Sequence, residues 1–241
     1  MKRGFTLVEM LTVVIILSLI GLIGIISVES IIKRGTDKAY QAQMSEIKTA
    51  AENLVKVEGL PKWCKSDPCF ITLRYLAYRN YLKLKDINYV VSTGDTLATI
   101  SQKYNMTAEE LSRYNNIDSV TVGKEIKIPA SKSYGEYINP KTDESFSLET
   151  VVMIKTIGKN YSFEAFESLE ALNEQNSSYL MRAKKDAVSA STTIYKKMGF
   201  CGEIDTCNLR TTSLVNRNLL ESNFYADVNI TIDIEDEISI G

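Results

Sequence analysis

Histidine is absent from the 241 residues. That excludes Ser-His-Asp and Cys-His nucleophilic catalysis, and every zinc site that relies on an imidazole. Proline is scarce, with four in the chain, and none falls between residues 5 and 60. Charge is missing from Met10 to Val28, where only Thr12, Ser18 and Ser27 interrupt apolar residues and glycines. The formal net charge is −2, so no basic field suited to nucleic acid is present. What remains is an ordinary globular composition, 44% hydrophobic and 24% charged, with room for one or two domains beside the apolar run.

As a helix rising about 1.5 Å per residue, residues 5–28 would span most or all of a bilayer core of about 30 Å. Lys2 and Arg3 ahead of the run predict a cytoplasmic N-terminus, with the bulk of the chain on the far side of the membrane. A secretory signal has a shorter apolar core and a small-residue cleavage site behind it, and no A-x-A-like site follows here. Instead Gly4 precedes the run, Phe5 comes next, and Glu9 is the one acid within it. The segment G-F-T-L-V-E resembles the leader junction of type IV prepilins and pseudopilins. The resemblance implies cleavage after Gly4 by a prepilin peptidase, methylation of the new terminus Phe5, and assembly with other pilin subunits by the pilus machinery. Glu9 has a physical place in that scheme. A charge inside such a helix costs about 2.5–3.5 kcal/mol at the membrane centre and less near the interface, so it is tolerated when paired. A freed α-amine titrates near about 7.7–8 and is mostly cationic at neutral pH. In a packed filament, Glu9 of one subunit would meet the Phe5 amine of a neighbour; the alternative is a plain anchor with an interfacial acid.

Beyond the run, Tyr40, Met44, Ile47, Ala51, Leu54 and Val55 recur at helical spacing. One helix from about Phe5 to about Glu58 is predicted, ending at Gly59 with Pro61 just beyond. A helix with a lipid-compatible first half and a core-seeking second half resembles the pilin stalk, although the proline often found in that family's apolar half is missing. Residues 63–82 then have an echo at 201–220. With Cys69 set on Cys207, Asp67 falls on Asp205, Leu76 on Leu214, Arg79-Asn80 on Arg217-Asn218 and Leu82 on Leu220, without a gap. A duplicated module is inferred: helix, small cysteine loop, short apolar helix, then strands. Four cysteines allow three connectivities. Local pairs, Cys64 with Cys69 and Cys201 with Cys207, are the simplest, in a compartment where disulfides persist. A four-cysteine zinc site is the alternative, but the spacings miss C-x₂-C.

Residues 89–129 read as strand, turn, helix, helix, strand. Tyr89 to Ser92 is the first strand, Gly94-Asp95 a turn, and Asp95 or Thr96 a cap for a helix through Tyr104. Thr107 and Glu110 make a capping box for the second helix. This stretch resembles a LysM module along its full length, through Y-x-V-x-x-G-D-T-L-x-x-I-S, the Leu111–Asn115 pair and the closing G-K-E-I-K-I-P. The resemblance implies a binder of N-acetylglucosamine-containing glycans, chiefly peptidoglycan or chitin. Its groove would be formed by Gly94, Asp95, Thr96 and Leu97 in one loop and Asn116, Ile117 and Asp118 in the other. Tyr89, Val91, Leu97, Ile100, Leu111, Ile126 and Ile128 also suit a plain core, and Asn115 suits loop hydrogen bonds.

The module is flanked by pieces that belong together. Asn139-Pro140 marks a turn, and two β-rich runs meet at Gly158-Lys159-Asn160. Residues 163–198 are predicted as helix in two pieces, the first with Phe163, Phe166, Leu169 and Leu172 on one face. The tail from Phe224 alternates as a strand or hairpin, and its acids suit a solvated face better than calcium, since no EF-hand spacing occurs. The expected fold class is α+β: a long N-terminal transmembrane and stalk helix, a duplicated pilin-like antiparallel β head and an inserted βααβ LysM module. The expected divisions are a leader at 1–4, a membrane and assembly segment at 5–28, a first lobe at 29–88 continued at 130–162, the LysM module at 89–129, and a second lobe at 163–241. No catalytic residue, metal or cofactor is assigned. The expected function is a type IV pilus or pseudopilus subunit, of the minor kind, that grips peptidoglycan. It would be a single-pass cytoplasmic-membrane protein with an extracytoplasmic head, reaching the cell surface after assembly. The competing class is a membrane-anchored wall-binding protein or wall-hydrolase accessory that does not polymerise.

Overall fold

The computed structural model describes residues 7–202 and 205–241, with the side chains of residues 19–27 and 29 outside the description. Gly4 and Phe5, the expected processing junction, lie outside the described residues. In chain order the elements are α1 (Leu7–Glu58), β1 (Cys69–Thr72), α2 (Leu73–Tyr78), β2 (Ile87–Val90), α3 (Leu97–Lys103), α4 (Ala108–Asn115), β3 (Glu125–Ile128), β4 (Val151–Ile157) and β5 (Asn160–Ala165). They continue with α5 (Leu169–Gln175), α6 (Leu180–Lys197), β6 (Cys207–Arg210), α7 (Thr211–Asn216), β7 (Asn229–Ile232) and β8 (Ile238–Ile240). The architecture is α+β with three antiparallel sheets.

The 52 residues of α1 make a rod about 78 Å long. Thr12 and Ser18 turn their hydroxyls back onto the carbonyls of Val8 and Val14, which hides two polar groups against the helix itself. The apolar side chains from Leu7 to Leu17 are exposed. Among the described residues no helix is long and apolar enough to cross a membrane. The run expected to do so, 5–28, falls partly outside the description. The other half of α1 is buried along the face that the periodicity marks: Tyr40, Ile47, Ala51, Leu54 and Val55 join the main core, and Met44 packs at its edge. Gly59 ends the helix in the left-handed region (φ 80°), a conformation with little steric cost for glycine.

The first sheet has the order β1-β4-β5, with Cys69 opposite Ile154 and Ile154 opposite Phe163. A two-residue turn, Gly158-Lys159, closes the β4–β5 hairpin. This corrects the helical reading of Phe163 and Phe166. Their spacing fits a helix face, but Tyr161, Phe163 and Ala165 also alternate, and the turn commits them to the sheet. Residues 163–165 thus belong to the first sheet, and Phe166 is buried in a small cluster with Phe70, Val151 and Leu172. The second sheet of this kind has the order β6-β7-β8. Under the register that sets Cys69 on Cys207, β6 and α7 begin and end where β1 and α2 do. Asn80 and Asn218, which correspond, both adopt left-handed backbone (φ 62° and 50°).

One buried side chain joins these parts. The Arg74 guanidinium donates to Glu149 Oε1 through Nε (2.9 Å) and Nη2 (2.6 Å). Its Nη1 donates to the carbonyls of Ser133 (2.9 Å) and Asn218 (2.8 Å). Arg74 is 6% exposed and Glu149 1%. Burial pushes the Glu149 carboxyl up, and Arg74 opposes the shift.

Candidate functional site

β2 and β3 pair antiparallel, Ile87 with Ile128 and Val90 with Glu125, and α3 and α4 lie between them in the chain. The first strand begins two residues earlier than the sequence indicates, because Ile87 finds a partner in Ile128. Val91, Ile100, Leu111, Ile126 and Ile128 form a separate core for this unit. It is fastened at its root. Asp86 accepts a hydrogen bond from the Ala130 N–H (3.0 Å) and another from the Tyr114 hydroxyl. Lys85 and Glu136 then pair in a β-bridge, so the chain leaves the head and returns to it at adjacent points. The tyrosine bond and the backbone bond hold the Asp86 carboxyl below the usual carboxylate range. Nothing in the local sequence pattern singles out Asp86; its role follows from the meeting of residues 86 and 130.

The first of the two loops is built from short-range chemistry. Gly94 takes φ 89°, which favours glycine. Asp95 Oδ2 accepts from the Ser92 N–H (2.8 Å) and from the Tyr89 hydroxyl (2.7 Å), and both bonds favour the ionised form, so its pKa is lowered. Burial and then the Asp95 carboxylate push the Tyr89 hydroxyl up to about 12. Thr96 caps α3: its hydroxyl accepts the Thr99 N–H at 3.0 Å, while the Thr99 hydroxyl accepts the Thr96 N–H at 2.9 Å. The Asp95 and Thr96 side chains, both assigned to glycan contact from sequence, are therefore engaged inside their own loop. Gly94 and Thr96 are exposed, and Leu97 is half-buried against the unit's core.

The second loop follows α4, whose N-terminus carries the expected capping box. Thr107 accepts the Glu110 N–H at 3.1 Å, and the Glu110 carboxylate accepts the Thr107 N–H at 2.7 Å. Asn116 ends the helix in left-handed backbone (φ 53°). The Ile117 N–H returns to the Ser112 carbonyl at 3.1 Å, and the Ile117 side chain packs on the same core as Leu97. Asn116 and Asp118 are exposed. Asn115 has a structural task. Its amide donates to the carbonyls of Leu111 (3.0 Å) and Lys127 (2.8 Å) and accepts the Lys127 N–H (2.7 Å), joining α4 to β3.

Glu9 is exposed in the first described turn of α1. The four cysteines form two local disulfides, Cys64–Cys69 and Cys201–Cys207, with Cα atoms 5.3 and 5.5 Å apart. Each ties a loop to the first residue of a strand, β1 or β6. The acids of the tail are engaged with the chain. Asp233 Oδ1 accepts the Glu235 and Glu237 N–H groups, Asp236 pairs with Lys196 and Lys197, and Asp227 pairs with Arg210. Among the described residues no group of three or more histidines, cysteines or acids is placed to hold a metal ion.

Comparison with known proteins gives two family-model matches on separate parts of the chain. Neither the curated proteins nor the solved structures yield a match. Residues 1–25 match the prokaryotic N-terminal methylation motif, which suggests a membrane-anchored, surface-exposed type IV pilin-like subunit served by a prepilin peptidase. Residues 89–129 match the LysM domain, which suggests peptidoglycan binding. Both families are typically non-enzymatic. The chain thus carries a prokaryotic N-terminal methylation motif and, within its head, a LysM domain.

Proposed function

We propose that the protein is a minor subunit of a type IV pilus or pseudopilus whose head grips cell-wall peptidoglycan. One observation carries this reading: α1 runs unbroken from Leu7, within the methylation motif, to Glu58, and its Ile47, Ala51 and Leu54 lie in the core of the head that bears the LysM domain. A pull on the glycan would pass through the Asp86 fastening and the head into the helix that joins the subunit to its neighbours. In this reading Gly4–Phe5 is the processing junction, and Glu9 pairs with the Phe5 amine of an adjacent subunit. The segment 5–28 lies in the cytoplasmic membrane before assembly, and the head is extracytoplasmic. The glycan rests on the loops of Gly94–Leu97 and Asn116–Asp118. Because Asp95 and Thr96 are engaged locally, the first loop offers mainly backbone groups to the acetamide and hydroxyls.

The head itself is read as two copies of one unit. The gap-free register of β1-α2 on β6-α7, the paired left-handed asparagines, the two local disulfides and the like order of the two sheets all support that reading. The first copy comprises residues 29–88 and 130–162 with the rest of β5, and the second begins after it. Two measurements test the function. Cells carrying Glu9→Ala are expected to lose the protein from sheared surface filaments while keeping it in the membrane; unchanged filaments refute assembly through Glu9. The purified full chain in detergent micelles is expected to sediment with peptidoglycan sacculi, and failure to do so refutes the glycan grip.

A further inference from the structure

A cleft of about 510 Å³ crosses the boundary between the LysM domain and the second half of the head. One wall is α3, where Thr99, Gln102 and Lys103 share a face at the three- and four-residue spacing of a helix. The other wall is Ser213 and Asn216 of α7, with Arg217 next in the chain. The side chains of Gln102, Ser213 and Asn216 make no hydrogen bond among the described residues. The Arg217 guanidinium lies over the Phe200 ring, 4.3 Å from its centroid, with no carboxylate in ion-pair range among the described residues. Lys103 reaches Asp95 only loosely, at 3.8 Å, and its side chain is 46% exposed. The walls are held in register. Tyr104, at the end of α3, meets Tyr134 edge-on with centroids 5.7 Å apart, and the Tyr134 hydroxyl donates to the Arg217 carbonyl at 2.8 Å.

We infer that this cleft is a second stretch of the glycan-binding surface, taking the continuation of an acidic amino-sugar chain that enters at the Gly94–Leu97 loop. The inference rests on the peptidoglycan reading above. α3 starts at Leu97, in that loop, and ends at Lys103 beside the cleft. Its face leads from one to the other over about 10 Å, more than one sugar ring covers. The open amide and hydroxyl groups on both walls suit sugar hydroxyls and acetamides, and the two cations suit carboxylates carried by the chain. The second half of the head then supplies part of the grip, and glycan length sets how much of it is used.

The test is calorimetric titration of the full chain in detergent micelles with two probes, chitotriose and peptide-free peptidoglycan glycan strands that keep their lactyl carboxylates. Asn216→Ala and Arg217→Gln are each expected to weaken strand binding about tenfold, the size of one hydrogen bond to or from a charged or well-placed group. Chitotriose carries no carboxylate, so Arg217→Gln is expected to leave its binding unchanged. Asn216 is exposed, so its variant keeps the test valid if Arg217→Gln unfolds. Strand affinity within about twofold of wild type in both variants overturns the inference. So does equal weakening of the two probes by Arg217→Gln, which would mean that the substitution acts through the LysM loops. Failure of the wild-type protein to bind either probe refutes the peptidoglycan reading itself, and this inference with it.

Discussion

Arg74→Met removes a buried side chain that joins α2, the segment returning from the LysM domain, the approach to β4 and the second half of the head. The substitution keeps most of the buried volume and deletes the charge. Glu149, 1% exposed, then loses its ion partner, and the Ser133 and Asn218 carbonyls lose a donor each. Breaking a buried pair in this way costs about 3–5 kcal/mol, and the two orphaned carbonyls place the expected loss toward the upper end. Because burial already raises the Glu149 pKa, its carboxyl takes up a proton more readily once Arg74 is gone. The penalty is therefore expected to shrink as the pH falls. Arg74→Met with Glu149→Leu removes both charges and is expected to recover most of the pair's share, but not the share of the two carbonyls. Trp63, the sole tryptophan, packs edge-on against Tyr75 of α2 with ring centroids 4.6 Å apart, so its fluorescence reports this region during guanidinium unfolding of the full chain in micelles. A loss below about 1 kcal/mol for Arg74→Met, or a double variant no more stable than the single one, would refute the account of Arg74 as the junction.

Asp186 accepts the Phe70 N–H at 3.0 Å, and burial pushes its carboxyl up to about 7. Between about pH 4 and 7 the folded protein holds a proton that the unfolded chain has released, so this group makes stability fall as the pH rises through that window. Asp186→Asn keeps an acceptor for Phe70 and is expected to flatten that slope and raise stability near about pH 8. An unchanged slope in pH-dependent thermal unfolding would count against it; Glu149 adds a residual slope of the same sign. Asn115→Ala is expected to cost the LysM domain about 1–3 kcal/mol, since it leaves the Lys127 N–H and carbonyl without their partner. Amide exchange at β3 measures this, and exchange as slow as in wild type would refute it. Replacing both Cys201 and Cys207 by serine is expected to lower stability by about 2 kcal/mol, the loop being short, as read from guanidinium unfolding. A loss above about 4 kcal/mol would mean that the bridge does more than limit the unfolded chain.

Much of the architecture was legible because it rests on local chemistry. Helical periodicity from Tyr40 to Val55 identified the buried face of α1, and Gly59 with Pro61 located its end. The Thr107–Glu110 box and the Gly158-Lys159 turn each announced themselves within a few residues. Short cysteine spacing made local pairing the simplest choice, and both bridges have it. Phe163 misled because its apolar spacing fits two periods at once, and only pairing with Ile154 chose between them. The tertiary structure alone decided that Asp86 fastens the LysM domain and that Arg74 joins four separated segments. It alone brought α3 opposite α7. The physical reason is the range of the interactions. Caps, turns and periodic faces are set by neighbours within a few positions. The partners of a buried charge, and the far wall of a cleft, come from residues that meet only when the chain has folded.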